Sequence, residues 1–264
     1  MQQDTPYTFG DTVPAGRRLA LLAEVYAGST RDFLRRWAPS RPSCAVDLGC
    51  GPGHTTALLH RVARPGRTTG IDNSPAFLEQ ARATATAGID HVQADVTAPL
   101  PVRAADVVHA RFLLTHLTGH ERVLGLWADA LAPGGRLLLQ EVASMGSASP
   151  EFDRYYSMVR GMQRHHGQEM YVGTRLGDAA RAAGLTVVHH GLRRLVLPAP
   201  GMARLHLMNL CHWRCGEFAR DHLDPGELDR LQAWLRAVAE GAQEAGPVVQ
   251  ELGELVAERA GMPR

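Results

Sequence analysis

The sequence predicts an α/β fold, in which a doubly wound, mostly parallel sheet is covered by helices on both faces. Two observations support this prediction. Short apolar runs alternate with amphipathic segments over residues 17–142, and the first apolar run breaks into a glycine turn directly before a helix. The 264 residues suit one sizeable domain or a domain with a substantial cap, and 45% hydrophobic with 21% charged residues is typical of a globular protein.

The elements of the first half alternate regularly. An amphipathic helix or helix pair over 17–37 precedes a buried strand at 44–48, and the glycine turn at 49–53 leads into a helix over 55–62. The remaining predictions are strands at 67–72, 89–93, 105–110 and 136–142, a helix that Pro75 opens, a helix at 120–131 and a tight turn at 132–135. Five strands separated by helices favour a parallel sheet.

After residue 142 the pattern becomes mainly helical. Residues 150–168 have helical periodicity and are rich in Tyr, Met and His. The following predictions are helices at 175–183, 202–220 and 225–240, and a long strand at 185–197. The segment 247–259 is ambiguous, because its apolar positions have helical spacing while its short length suits an edge strand.

The glycine turn and three aspartates indicate the ligand. A strand, a glycine turn and a helix start present backbone N–H groups to a nucleotide. Asp72 ends the second strand, where a carboxylate reaches ribose hydroxyls, and Asp95 follows the third strand, within reach of an adenine amino group. Asp47 precedes the glycines, where it would repel a pyrophosphate and attract an ammonium group. The pattern favours S-adenosylmethionine, a cationic adenosine ligand, over a nicotinamide dinucleotide.

Five motifs in order strengthen this interpretation. They are Val-Asp-Leu-Gly-Cys-Gly-Pro-Gly (46–53), Gly-Ile-Asp-Asn-Ser (70–74), Ala-Asp-Val (94–96), Ala-Asp-Val-Val-His-Ala-Arg-Phe-Leu-Leu-Thr-His-Leu (105–117) and Leu-Ala-Pro-Gly-Gly-Arg-Leu-Leu-Leu (131–139). Together they resemble class I S-adenosylmethionine-dependent methyltransferases, in particular the small-molecule group similar to ubiquinone and menaquinone biosynthesis enzymes. The resemblance implies a Rossmann-like seven-stranded sheet whose last strand is antiparallel and lies at an edge, with N-terminal helices and a helical cap inserted after strand five.

The resemblance also implies an organisation of the chain and roles for its residues. Residues 1–40 would be a helical lead-in over the cofactor, 41–145 the cofactor-binding core, and 146–264 the cap with the last strands, all in one domain. The methionine part would contact Asp47, Gly49, Cys50, Gly51, Ala110 and Arg111, with Tyr7 and Arg18 at its carboxylate, Asp72 at the ribose, and Asn73, Asp95 and Val96 at the adenine. Taken singly, Asp72 also suits a helix cap and Asp95 a plain loop acid.

Methyl transfer requires mainly alignment and exclusion of water, with a base where the nucleophile carries a proton. The candidates for that base are His166, Glu141 and His116, although His116 equally suits a helix cap. The segment after strand five would lie over the methyl group. Its residues Tyr155, Tyr156, Met162 and His165, together with His212, would line an acceptor pocket, unless they simply pack the cap.

Composition narrows the function classes. A formal net charge of +1 gives no electrostatic reason to expect nucleic acid or a membrane surface as a partner. The four cysteines lack the spacing of a zinc site, so no metal is expected, and the absence of a signal-peptide pattern favours the cytoplasm. The predicted function is methyl transfer to an O, N or C nucleophile of a small, largely apolar metabolite (a secondary metabolite or a quinone-like compound). The alternative is a non-methylating cyclisation or rearrangement in the same fold, and a homodimer is left open.

Overall fold

The computed structural model describes residues 13–260, and the strands of this part of the chain form one seven-stranded sheet. In chain order they are β1 (Cys44–Leu48), β2 (Arg67–Asp72), β3 (Ile89–Gln93), β4 (Ala105–Arg111), β5 (Leu131–Ser147), β6 (Thr186–Leu197) and β7 (Val248–Glu258). The spatial order is β3-β2-β1-β4-β5-β7-β6. The first five strands are parallel, and β7 is antiparallel to both of its neighbours. The predicted fold class is confirmed.

Helices connect the strands and cover both faces of the sheet. They are α1 (Val13–Trp37), α2 (His54–Ala63), α3 (Pro75–Ala83), α4 (His120–Ala130), α5 (Pro150–His165), α6 (Leu176–Ala182), α7 (Ala199–Trp213), α8 (Glu217–His222) and α9 (Pro225–Ala239). Alternate strand residues belong to different cores: Val108 packs in the core that contains α4, and Val107 packs in the core that contains α1 and α2. This alternation follows from the two-residue period of a strand.

The position of the last strand, β7, differs from the sequence prediction, which places it at an edge of the sheet. It lies between β5 and β6, so that Leu255 pairs with Leu139 on one side and with His190 on the other. Both faces of β7 are buried from 252 to 257, so this strand lacks the alternation of apolar and polar residues that a half-exposed strand has. For this reason its apolar positions have the spacing of a helix. The edges of the described sheet are β3 and β6.

Two further boundaries differ from the prediction. The helix expected over 202–220 is divided into α7 and α8 by a break at residues 214–216, where Gly216 precedes α8 in an extended conformation. Strand β5 begins at Leu131 and includes the segment 132–135, for which the sequence predicts a tight turn. At this segment the pairing of β5 with β4 is irregular. Among residues 13–260, no helix has both the length and the apolar character needed to cross a membrane.

A third core forms a cap at the end of the sheet where the parallel strands terminate. Helices α5, α7 and α9 supply most of it, Tyr26 joins from α1, and Val248 and Leu252 join from β7. The cap therefore rests on both the first helix and the last strand. This arrangement leaves a space between the glycine turn and the cap helices.

Candidate active site

One large cavity, of about 900 Å³, lies between the glycine turn and the cap. Its walls come from α1, the glycine turn, the segments after β2, β3 and β4, and the inner faces of α5 and α7. Of the residues that the sequence predicts for the site, the cavity is lined by Arg18, Gly49, Cys50, Gly51, Asp72, Asn73, Asp95, Val96, Arg111, His116, Tyr155, Tyr156 and His166. Tyr7 falls outside the described residues.

The glycine turn needs its glycines for backbone reasons. Gly49 and Gly51 have φ values of +60° and +50°, which side-chain-bearing residues rarely adopt. A Cβ at Gly49 would also lie 2.7 Å from Cδ1 of Leu113, a neighbouring side chain that lines the cavity too. The turn can therefore keep its close approach to a ligand only with glycine at these positions.

Asp72 connects the turn to the end of β2. Its Oδ2 accepts a hydrogen bond from the Gly51 N–H at 2.8 Å, and its Oδ1 accepts one from the Ser74 N–H at 2.9 Å. Burial raises the pKa of this carboxyl, and the backbone donors oppose that rise. Because the residue also lines the cavity, its carboxylate is held in place before any ligand contacts it.

The wall beyond Asp72 consists of Asn73, Asp95 and Val96. Asp95 is exposed, and its Oδ1 accepts a hydrogen bond from the Thr97 N–H at 2.8 Å. The indole N–H of Trp127 donates to the Val96 carbonyl at 2.9 Å, which fixes the backbone at this point. These residues form a partly polar part of the cavity wall.

The position of Asp47 differs from the sequence prediction, which places this residue in direct contact with the ligand. Its side chain is buried beneath the turn, outside the cavity wall. The hydroxyls of Thr55 and Thr56 each donate to Oδ2 at 2.7 Å, and Oδ1 lies 2.7 Å from Nδ1 of the buried His109. Asp47 therefore holds the turn, α2 and β4 together. Ala110 is a second correction, since it is fully buried in the core that contains α4 and does not reach the cavity.

Three arginines line the cavity, Arg18, Arg111 and Arg122, and the first two act on other lining residues. Arg111 donates from Nη1 to the Thr30 hydroxyl at 3.0 Å, and burial lowers its pKa to about 10. Arg18 is buried on α1, and its positive charge acts on His116 and Tyr155. The two cations therefore approach different parts of the cavity, Arg111 near the glycine turn and Arg18 near the cap.

The position of Glu141 also differs from the sequence prediction, which names this residue as a candidate base at the acceptor. It lies inside β5, fully buried and outside the cavity wall, and its Oε1 accepts from the N–H groups of Leu113 and Leu114 at 2.7 and 2.8 Å. Burial raises its pKa to about 7. Its carboxyl supports the segment that follows β4. His116, at the end of that segment, lines the cavity, and burial lowers its pKa to about 3.

The cap residues divide into two groups. Tyr155 and Tyr156 are buried and line the cavity, and the exposed His166 lies at its rim. Three predicted acceptor residues lie elsewhere, because α5 and α7 turn these positions away from the cavity: Met162 is buried in the cap core, whereas His165 and His212 are exposed. These three placements correct the prediction.

Several lining residues went unnoticed in the sequence. His206 of α7 is buried, and its Nε2 lies 2.9 Å from the Tyr156 hydroxyl oxygen. The Tyr155 ring stacks on His206 with centroids 4.3 Å apart. Tyr26, Gln163, Asn209 and Gln250 also line the cavity. The available signal was the position of His206 among the apolar residues of α7, because a polar side chain on a buried helix face requires a partner.

Comparison with known proteins identifies the family. The family model described as "Methyltransferase domain" matches residues 22–190. A trans-aconitate 2-methyltransferase of Paracidovorax citrulli is 46% identical over 112 residues, which cover 41% of this chain and 42% of that protein. A trans-aconitate 2-methyltransferase of Streptomyces avermitilis is 39% identical over 169 residues, covering 57% of this chain and 63% of that protein. The chain thus spans less than two thirds of either relative.

A solved structure shares the fold. A phosphoethanolamine N-methyltransferase 2 of Haemonchus contortus, solved with phosphomonomethylethanolamine and S-adenosylhomocysteine, aligns with a TM-score of 0.57 and 16% identity. The alignment covers 94% of this chain and 58% of that one. At this identity the likeness concerns the fold alone.

Proposed function

Because this chain belongs to the methyltransferase-domain family of class I, S-adenosylmethionine-dependent enzymes, we propose that it methylates a small molecule bound under its cap. One observation carries the proposal. A single cavity extends from the glycine turn and Asp72 to Tyr155 and Tyr156, so a donor on the turn and an acceptor under the cap would share one enclosed space. Such proximity supplies much of the acceleration of a displacement reaction.

The residues at the turn fit the cofactor of the family. Positive-φ glycines let the backbone approach a ligand closely, and Asp72 offers carboxylate oxygen at the cavity wall, where ribose hydroxyls would donate. Arg111 supplies a cation close to the turn for the methionine carboxylate, with Arg18 as the second candidate. When bound, S-adenosylmethionine supplies an activated methyl group on sulfur. The protein's own contribution is to orient both molecules and to exclude water.

The acceptor is proposed to be small and largely apolar. The cap wall of the cavity includes the apolar side chains Met145, Val159, Met170, Met202 and Leu205, with Tyr155 and Tyr156 among them. A tricarboxylate acceptor, as the names of the two relatives imply for those proteins, would require several cations at the cap. Of the three arginines among the described residues that line the cavity, Arg18, Arg111 and Arg122, Arg18 alone is placed near the cap, and Arg111 lies near the glycine turn. A role for His116 or His166 in proton uptake stays a proposal.

The test compares two acceptors. Purified protein with S-adenosylmethionine is incubated with trans-aconitate or with 2-naphthol, a neutral aromatic alcohol, and formation of S-adenosylhomocysteine is measured. Methylation of 2-naphthol supports the proposal, and exclusive methylation of trans-aconitate contradicts the apolar acceptor. Binding of S-adenosylhomocysteine without any turnover, over a wider panel of acceptors, would favour the alternative cyclisation or rearrangement.

A further inference from the structure

The cap contains buried hydrogen-bonding atoms that lack partners among the described residues, which is costly unless a ligand completes them. Four of these atoms belong to cavity-lining side chains: His206 Nδ1, Asn209 Oδ1, Gln163 Oε1 and Gln250 Nε2. None of these four groups carries a formal charge in its ordinary neutral form. The unmet capacity under the cap therefore suits an uncharged ligand with hydroxyl or carbonyl groups.

The Tyr156–His206 hydrogen bond adjoins this polar group, because His206 belongs to both. Tyr156 and His206 both line the cavity, and the Tyr155 ring fixes the imidazole by stacking on it. When Tyr156 donates to Nε2 of His206, the lone pairs of the Tyr156 oxygen remain free to accept from an acceptor hydroxyl. Tyr156 and His206 then form a two-member path for a proton.

We propose that the Tyr156–His206 pair receives the proton of a hydroxyl acceptor, and that Asn209 and Gln250 bind the neutral polar groups of that acceptor. This inference rests on the proposed methyltransferase function. As the acceptor oxygen bonds to the methyl carbon, the carbon–sulfur bond breaks and its electron pair stays on sulfur. The acceptor proton passes to the Tyr156 oxygen, and the proton of Tyr156 passes to His206 Nε2. The positive charge of the sulfonium thus ends on the imidazole.

The weak basicity of His206 is compatible with this role. Burial lowers its pKa to about 3, so the imidazole is neutral and able to accept a proton at any ordinary assay pH. A hydroxyl that has gained a methyl group while keeping its proton is a protonated ether, which is a much stronger acid than this imidazolium. Proton transfer late in the reaction therefore needs only a weak base in the correct position.

The test uses His206→Gln and Tyr156→Phe in the full chain, with His222→Gln as the matched control. His222 is exposed and does not line the cavity. With 2-naphthol as acceptor, we expect kcat to fall about 100-fold in each pair variant and to stay unchanged in the control. Between about pH 6 and about pH 9, wild-type kcat should be nearly constant, whereas kcat of His206→Gln should rise with pH as the naphthol itself ionises.

A second measurement separates the role of the pair from folding and from the proposed function. Calorimetry should show 2-naphthol and naphthalene-2,7-diol binding to the complex of the protein with S-adenosylhomocysteine. Because only the diol has a second hydroxyl for Asn209, Asn209→Leu should weaken binding of the diol about tenfold and leave binding of 2-naphthol nearly unchanged. A pair variant that keeps its rate within threefold, or loses rate with a flat pH profile, overturns the inference, as does a wild type that does not bind 2-naphthol. If S-adenosylhomocysteine itself fails to bind, the proposed function fails instead.

Discussion

The two halves of the cavity differ in how their polar groups are satisfied. In the cofactor half, around the glycine turn, the carboxylates of Asp47 and Asp72 accept five hydrogen bonds or close polar contacts from the protein itself. In the acceptor half, under the cap, four buried polar atoms of lining residues have no partner in the described chain. The cofactor half is therefore built in advance, whereas the acceptor half depends on its ligand for complete hydrogen bonding.

The largest expected effect follows from breaking the cofactor half at Asp72. Asp72→Ala removes the ribose acceptor and the bond that positions the Gly51 N–H, so we expect S-adenosylhomocysteine affinity to fall at least about 100-fold, or about 2.7 kcal/mol. Isothermal titration calorimetry measures the affinity, and circular dichroism checks the fold. Asp90→Ala, at an exposed position of β3, is the control and should bind normally. Undiminished affinity in Asp72→Ala would rule out the assigned ribose contact.

Substitution of Asp47 tests whether the buried hydrogen bonds below the glycine turn stabilise the cofactor half. Asp47→Ala leaves two threonine hydroxyls and His109 without their shared acceptor, so we expect the free energy of unfolding to fall by about 3 kcal/mol. Asp129→Ala, at an exposed position of α4, should have little effect. Urea denaturation gives both values. Asp47→Asn should keep S-adenosylhomocysteine affinity within about threefold, and a loss as large as that of Asp72→Ala would mean that Asp47 contacts the ligand directly after all.

Glu141 gives a pH-dependent comparison. Its pKa is raised from 4.5 to about 7 in the folded protein, so the folded state binds the proton more tightly than the unfolded state. Its contribution to stability is complete below the unfolded pKa and is lost as pH rises through about 7. Relative to Glu141→Gln, the wild type should therefore lose about 2 kcal/mol of unfolding free energy between about pH 5 and about pH 7. Parallel stability curves for the two proteins would contradict the raised pKa.

The smallest effect is expected in the acceptor half. Asn209→Leu removes the buried Asn209 Oδ1, which has no partner among the described residues, and this removal is favourable. The substitution also removes the side-chain hydrogen bond between Asn209 and Tyr155, which is unfavourable. Because the two effects oppose each other, the free energy of unfolding should change by less than about 1 kcal/mol. Urea denaturation without ligand measures this change. A loss as large as that of Asp47→Ala would show that the acceptor half is as fully built as the cofactor half, which would remove the contrast between them.

The sequence could predict the cofactor half because its signals are local. Gly49 and Gly51 follow the end of β1, Asp72 is the last residue of β2, and parallel strands bring those ends to one edge of the sheet. Asp47 has the same local signal, yet its orientation depends on His109 of β4 and on two threonines of α2. Burial beneath the turn is a tertiary property that local spacing does not reveal, so the sequence predicts a ligand contact where the structure places a buried side chain outside the cavity wall.

The acceptor half was less predictable, because it combines distant parts of the chain. His206 comes from α7, Tyr156 from α5 and Gln250 from β7, and no motif connects them. Helical periodicity showed that 150–168 and 202–220 carry Tyr, Met and His, but not which way each side chain faces. Met162, His165 and His212 were therefore expected in the pocket and lie outside it. For β7, burial on both faces removed the alternation by which a strand is recognised.

The insertion of β7 between β5 and β6 affects the order in which the protein can fold during synthesis. β6 leaves the ribosome before β7, yet within the described sheet its ladder is formed with β7 alone. The cap helices α7 and α9, which follow β6, must also wait for Val248 and Leu252 to complete their core. The five parallel strands need none of these residues to pair with one another. A nascent chain can thus assemble its nucleotide-binding sheet early, while its substrate pocket can close only after translation of the last strand.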